Sequence, residues 1–176
     1  MRLELNGQLM INAPAQKVWH ILAHEFGSVG QWASSIPVSQ PVPDAPAPAG
    51  AVVGGRVCTT AVPGVAAVRE MFTYYDEASM RFGYEASEGR PWYIKRAENN
   101  WAVRSLGPET SLAESRAEIE MALLPGMFLA RLLKFFVGRV GAQFFEELKY
   151  YAEHDRPHPR KLKAQQKQIG KASAQS

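Results

Sequence analysis

The stretch PGMFLARLLKFFVGRVGAQFFEELKYYAE, residues 125–153, decides the predicted fold. Its apolar side chains recur at steps of three or four residues, the spacing that places them on one face of an α-helix. This apolar stripe consists of Leu129, Leu133, Phe136, Val140, Phe144, Leu148 and Tyr151. A helix over the whole stretch would be about 43 Å long. The sequence therefore predicts one long helix that packs over other secondary structure.

Two glycines, Gly138 and Gly141, interrupt the middle of this predicted helix. Each is less favourable than alanine in a helix interior by about 1 kcal/mol. Two explanations stay open. The helix tolerates them within a wide core face, or they permit a bend that lets the bulky first half move over the mouth of a cavity.

The N-terminal third alternates between extended and helical patterns. Apolar and polar residues alternate over residues 3–12, which predicts a half-buried strand. Pro14 then favours the first turn of a short helix with Val18 and Trp19 on its apolar side, and a second helical turn follows, ending near Trp32. Residues 37–55 are rich in Pro, Ala and Gly and predict a loop, with room for a short edge strand.

A run of strands separated by short turns occupies the middle of the chain. The predicted strands are residues 56–62, 65–75, 80–87, 92–103 and 111–123. Short turns join antiparallel neighbours, so the fold class is α+β, with a curved sheet of about seven strands wrapped on the long helix. The last strand should face inward with Ala113, Ala117, Ile119 and Met121, and its alanines leave volume for a pocket.

Composition restricts the class of protein. The 176 residues, 46% hydrophobic and 21% charged, suit one domain, residues 1–153, plus a tail, residues 154–176. The tail has six Lys or Arg against one Asp, a charge of +5, whereas the body has fourteen against sixteen, a charge of −2. A slightly acidic body argues against nucleic-acid binding. No apolar signal core or membrane span is found, which predicts a cytoplasmic protein.

The basic tail lacks an apolar stripe and is expected to be disordered. A solubilising role is the simplest interpretation. The alternative is a weak attachment to anionic lipid headgroups, worth ~1 kcal/mol for each nearby charge.

Several short motifs resemble one known family. They are Ile11-Asn12-Ala13-Pro14 with Val18-Trp19, then Trp32, Gly55-Arg56, Arg69-Glu70, Tyr75-Asp76, Tyr84, Pro91 with Tyr93, and the terminal long helix. In these motifs and in the order of its elements, the chain resembles the START-like (SRPBCC) superfamily, specifically the polyketide cyclase/dehydrase-type branch with the helix-grip fold. The resemblance implies a deep pocket between sheet and helix for a lipid, polyketide or aromatic compound. It implies no cofactor and no catalytic set shared by all members.

Histidine and cysteine offer little chemistry. His20 and His24 lie four residues apart and could share one side of a helix, but a third metal ligand is missing, so no metal site is predicted. Cys58 is the single cysteine and excludes an internal disulfide. As a nucleophile it would need a nearby base, and no predicted strand contains a histidine.

Arg56 and Glu70 form the more informative pair, because apolar residues alternate around each of them. These neighbours are Cys58, Thr60 and Val62 for Arg56, and Val68, Phe72 and Tyr74 for Glu70. If that side of each strand faces inward, the two charges are buried and must be paired. They would then orient a ligand carbonyl or act in acid–base chemistry. The alternative is an ion pair that is structural or on the outer face.

The predicted cavity-lining residues combine this pair with aromatic and apolar side chains. Among the aromatics, Tyr84 and Trp101 are favoured, since a tyrosine hydroxyl in an apolar cavity needs a partner that a ligand can supply. The full set is Trp32, Arg56, Glu70, Phe72, Tyr84, Trp101, Met121, Leu133, Phe136 and Val140.

Two function classes follow. The leading hypothesis is a carrier or sensor that binds a hydrophobic small molecule, since no catalytic constellation is recognisable. The alternative is a cyclase- or dehydratase-like enzyme that uses Arg56, Glu70 or tyrosines in the same cavity. A third hypothesis is an accessory protein that acts through exposed Phe128 and Phe135.

Overall fold

The computed structural model describes residues 1–60, 66–122 and 127–173, with only the backbone described for 127–133 and 171–173. Seven strands form one sheet in which every neighbouring pair is antiparallel, and a long helix follows them. This is the α+β helix-grip architecture that the sequence predicts. The strands are β1 (Arg2–Ile11), β2 (Ser39–Pro41), β3 (Gly55–Thr59), β4 (Ala67–Asp76), β5 (Arg81–Glu88), β6 (Ile94–Gly107) and β7 (Thr110–Met121).

The order across the sheet is β1-β7-β6-β5-β4-β3-β2, so the first strand pairs with the last. Leu5 lies opposite Ala117, and Ala117 lies opposite Asn99 on the other side, which puts these three side chains on one face. Register shifts interrupt the β4–β5 and β6–β7 ladders. Such bulges bend strands and increase their twist. They help the sheet to curve around a concave face.

The two short helices predicted after β1 are present. The first helix, α1 (Ala15–Trp19), follows Pro14, whose restricted φ suits a helix start. It continues through a π-helical turn, His20–His24, into a 3₁₀-helix, Phe26–Gln31. These turns bury Trp19 and Phe26 against one end of the concave face, where Phe82 of β5 contacts both rings.

The long helix, α2 (Met127–His154), spans almost the whole predicted stretch without a break. Its C-terminal half packs as expected, with Leu148 and Ala152 fully buried. Its middle differs, because Phe136 is 54% exposed and Val140 is 45% exposed. The predicted stripe is therefore a core face in one half only. The side chains of Phe128, Leu129 and Leu133 lie outside the described residues.

The tail differs from its prediction of disorder, because residues Pro159–Ser173 form a third helix, α3. Polar contacts hold its first turn. Lys161 is 1% exposed, and its Nζ donates hydrogen bonds to the carbonyls of Ile36 and Pro37 at 2.9 and 3.3 Å. Arg160 forms ion pairs with Glu146 and Glu147 of α2. A search for an apolar stripe misses a helix that is anchored in this way.

None of the helices in the described part of the chain is both long enough and apolar enough to cross a membrane.

Candidate functional site

A cavity of about 910 Å³ lies between the concave face of the sheet and α2. Its sheet side includes Leu5 and Leu9 of β1 and Ala117 of β7, and its helix side includes Val137 and Val140. Ser34, Ser35 and Ile36 also border it. Ligand pockets of about 300–1,000 Å³ hold drug-sized molecules, so this space suits an organic guest.

A row of polar side chains crosses the cavity-facing side of the sheet from one strand to the next. It consists of Arg56 (β3), Glu70 (β4), Tyr84 (β5), Asn99 (β6) and Ser115 (β7), all of which border the cavity. The register explains their alignment, since Arg56 lies opposite Glu70 and Tyr84 lies opposite Asn99. We call these five residues the polar row.

Arg56 and Glu70 form a close ion pair at one end of the polar row. The Arg56 side chain is 4% exposed, and its Nε donates to Glu70 Oε2 at 2.6 Å. Its Nη1 donates to the carbonyl of Phe26 at 3.1 Å, and its guanidinium lies 3.9 Å from the centre of the Phe26 ring. Burial is the largest single influence and acts to lower the pKa of Arg56, but the charge and hydrogen bond of Glu70, together with the nearby Tyr84 and Cys58, raise the pKa above its ordinary value. The pair thus keeps a buried cation neutralised.

Hydrogen bonds connect the other three members of the row. The Ser115 hydroxyl donates to Asn99 Oδ1 at 2.7 Å, and Asn99 Nδ2 donates to the Tyr84 hydroxyl oxygen at 3.3 Å. Burial, with the nearby charge of Glu70, raises the pKa of Tyr84 to about 12. Tyr84 therefore stays protonated at neutral pH, so its hydroxyl group is able to donate a hydrogen bond and does not serve as a base.

Cys58 lies beside the ion pair but is poorly suited to nucleophilic chemistry. It is 3% exposed, and its Sγ is 3.8 Å from Glu70 Oε2. Burial raises the pKa of the thiol to about 12. The reactive form of cysteine is the thiolate, which is scarce here at neutral pH.

The structure brings half of the predicted cavity-lining residues to the cavity, namely Arg56, Glu70, Tyr84, Trp101 and Val140. Four others lie elsewhere. Phe72 packs against Phe26 and Tyr75 in the core, and Met121 is buried. Trp32 is 1% exposed and borders a separate small gap of about 10 Å³, whereas Phe136 points to solvent. The tenth, Leu133, lies outside the described side chains.

Asn99 and Ser115 are the members of the polar row that sequence reasoning missed. A usable signal exists, because Asn99 is two residues before Trp101, and Ser115 lies between the inward alanines Ala113 and Ala117. Residues two apart on a strand share a face. Alternation alone therefore places both side chains on the cavity side.

The two histidines lie close together on the surface, away from the cavity. Nδ1 of His20 is 3.2 Å from Nδ1 of His24, and Nε2 of His24 is 3.1 Å from both carboxylate oxygens of Glu77. Among the described residues, no group of three His, Cys, Asp or Glu side chains is arranged to hold a metal ion.

Solved structures share this fold at low sequence identity. A START superfamily protein from Mycobacterium smegmatis matches with a TM-score of 0.66 and 16% identity over 85% of this chain and 97% of its own. The protein XoxI from Bacillus cereus matches with a TM-score of 0.66 and 15% identity over 88% of this chain and 99% of its own. A protein from Nitrosospira multiformis matches with a TM-score of 0.65 and 15% identity over 87% of this chain and 98% of its own.

Comparison with curated proteins gives no match. A family model described as polyketide cyclase/dehydrase and lipid transport matches residues 2–153. That match covers the whole sheet and almost all of α2, including every member of the polar row. The chain therefore belongs to the polyketide cyclase/dehydrase and lipid transport family.

Proposed function

We propose that this protein binds a hydrophobic small molecule in the cavity between the sheet and α2 and acts as its carrier or sensor. The observation that carries the proposal is the cavity itself, about 910 Å³ and bordered by apolar residues of both β1 and α2. A carrier needs apolar walls and a few polar groups to orient its guest. The polar row supplies those groups at the floor of the cavity.

Native mass spectrometry of the protein purified from its own host tests the proposal directly. A retained organic molecule of reproducible mass is the expected result. Protein that carries no small molecule in repeated preparations would argue against a tightly bound cargo.

A blocked-cavity variant tests where the guest lies. Ala117 borders the cavity, whereas Ala102 lies on the opposite, convex face of the sheet. We expect Ala117→Trp to weaken binding of the neutral dye Nile red at least tenfold and Ala102→Trp to leave it unchanged, with circular dichroism confirming that both variants fold. Equal binding by the two variants would place the guest outside the cavity.

A second candidate is an enzyme of the cyclase or dehydratase type, favoured by the presence of Glu70 and Tyr84 in the same cavity. Tyr84 would polarise a ligand carbonyl as a donor, and Glu70 would accept a proton. The two functions differ in the fate of the ligand. A carrier returns the recovered molecule unchanged after incubation, whereas an enzyme returns a product whose yield falls in Glu70→Gln.

The exposed side of α3 supports a weak contact with anionic membranes as an accessory property. Leu162 is 47% exposed, and the neighbouring Lys163 and the more distant Lys167 are exposed as well. Each lysine near such a surface contributes about 1 kcal/mol. Co-sedimentation with phosphatidylserine vesicles should fall when residues 159–176 are deleted, and unchanged co-sedimentation would exclude this role.

A further inference from the structure

The charge of the cavity floor determines which guests it can accept. Of the described residues that border the cavity, Arg56 alone carries a positive charge. Its charge is already balanced by the Glu70 carboxylate, and its guanidinium also contacts the Phe26 carbonyl and the Phe26 ring. A carboxylate or phosphate on the guest would therefore lose its hydration without gaining a counter-charge, which is strongly unfavourable.

The floor nevertheless offers directional hydrogen bonds. The Glu70 side chain is 18% exposed, and its contacts with Arg56 and Cys58 both fall on Oε2. Oε1 is therefore able to accept a hydrogen bond from a guest. The Tyr84 oxygen accepts from Asn99, so its own O–H proton is able to point into the cavity. An acceptor and a donor thus stand on adjacent strands.

A hydroxyl group is the simplest partner for such a site, because it donates one hydrogen bond and accepts others. We infer that the guest is a neutral, largely apolar molecule whose hydroxyl group donates to Glu70 and accepts from Tyr84, and that carboxylate-bearing guests such as free fatty acids are rejected. This inference rests on the proposed function and specifies its ligand class.

Three fluorescent probes of equal ring size separate the alternatives. They are pyrene, 1-pyrenemethanol and 1-pyrenecarboxylate, with dissociation constants measured by fluorescence titration at pH 7.5. We expect the wild-type protein to bind the alcohol at least tenfold more tightly than the carboxylate. Equal or tighter binding of the carboxylate would overturn the inference. Binding of pyrene that is lost in Ala117→Trp would still support the proposed function, whereas no binding of any probe would overturn both.

Two variants test the assigned roles. Glu70→Gln removes the counter-charge of Arg56, so the carboxylate should gain affinity relative to the alcohol. Glu114→Gln makes the same change on the convex face, where Glu114 pairs with Arg104, and should leave the ratio unchanged. If the ratio of carboxylate affinity to alcohol affinity is the same in Glu70→Gln and in the wild-type protein, the ion pair does not exclude carboxylate guests.

Tyr84→Phe keeps the ring and removes the hydroxyl, which makes the test independent of the stability of Glu70→Gln. We expect the affinity for 1-pyrenemethanol to fall about fivefold, the effect of one ordinary hydrogen bond, with pyrene affinity unchanged. Equal losses for both probes would mean that Tyr84 only shapes the cavity, which would overturn its assigned role as donor.

Discussion

The two halves of α2 carry one continuous apolar stripe but meet different surroundings. In the C-terminal half, Leu148 is fully buried, and Phe144 contacts the rings of Trp32 and Trp101. In the middle of the helix, Phe135 is 63% exposed and Phe136 is 54% exposed, and the residues that follow, Val137, Gly138, Val140 and Gly141, border the cavity. The same helical periodicity therefore produces a packed seam in one half and a cavity roof in the other. We call the C-terminal half of α2, from Phe144 onward, the seam, and its middle, residues 135–141, the roof.

The largest expected difference between seam and roof is in stability. Leu148→Ala removes a fully buried side chain and leaves a void, which should lower the free energy of unfolding by about 3 kcal/mol. Phe136→Ala removes a larger side chain but should change it by less than about 0.5 kcal/mol, because that side chain is mostly in water. Urea unfolding of the two variants measures both changes in the free energy of unfolding.

Similar losses in the two variants would contradict the distinction. They would mean that Phe136 is buried in solution and that the roof closes onto the sheet. Repeating the Phe136→Ala measurement with saturating Nile red would show whether a guest brings about that closure.

The second effect concerns the sheet beneath the roof, which holds groups that titrate at alkaline pH. Burial raises the pKa of both Cys58 and Tyr84 to about 12, from 9.0 and 10.0. Below about pH 8 both groups keep their protons in the folded and unfolded chains, so stability does not depend on them. As the pH rises further, the unfolded chain loses these protons first, and the free energy of unfolding decreases.

By pH 10.5 the loss from Cys58 should reach about 2 kcal/mol. Urea unfolding at several pH values should show a shallower decline in Cys58→Ala than in the wild-type protein. An identical decline would mean that the Cys58 thiol ionises as readily in the folded chain as in the unfolded one. The seam variant Leu148→Ala serves as a control, because it should shift the curve without changing its slope.

The seam and the roof also show what the sequence can and cannot predict. The strands and the long helix are predictable because local alternation and turn residues mark them. The exposure of Phe136 is not, because an apolar stripe has the same pattern whether it covers a core or an empty space. The direction of the side chains in β4 is also not predictable from alternation, because the register shift between Phe72 and Tyr74 leaves Tyr74 43% exposed.

In the candidate site, too, some features are predictable from local patterns and others are not. Arg56, Glu70 and Tyr84 were predictable as inward polar residues of strands, and alternation from Trp101 and Ala117 would have added Asn99 and Ser115. The docking of α3 was not predictable, because Lys161 finds its acceptors in carbonyls more than 120 residues earlier in the chain. Local patterns do not identify such long-range polar partners.

A third, smaller effect should come from α3, which contacts the seam through Arg160. Arg160 donates to Glu147, whose side chain is 1% exposed and also accepts hydrogen bonds from Ser34. Arg160→Ala should lower the free energy of unfolding by about 1 kcal/mol, since the partly exposed arginine is screened by water. Lys163→Ala, an exposed change in the same helix, should have no measurable effect. Equal effects of the two would mean that α3 does not dock through Arg160.

The smallest effect concerns Gly138 and Gly141, which both border the cavity from the roof. A Cβ atom added at either position meets nothing within 4 Å among the described atoms. Alanine should therefore fit and should raise the free energy of unfolding by up to about 1 kcal/mol, because it restricts the unfolded chain and favours the helix. Ala142→Gly, at an exposed neighbouring position, is the matched control and should have the opposite sign.

The same variants separate a bending role of the glycines from a space-making one. If the glycines only widen the cavity, the double variant Gly138→Ala/Gly141→Ala should be more stable and should weaken equilibrium binding of Nile red slightly through faster release, with an unchanged rate of uptake. If the roof must bend to admit a guest, both rates should fall together while the affinity changes little. Hydrogen exchange along residues 134–148 gives an independent measurement. Protection that is uniform across roof and seam in the wild-type protein would exclude a moving roof, whereas weaker protection of the roof that alanine restores would establish it.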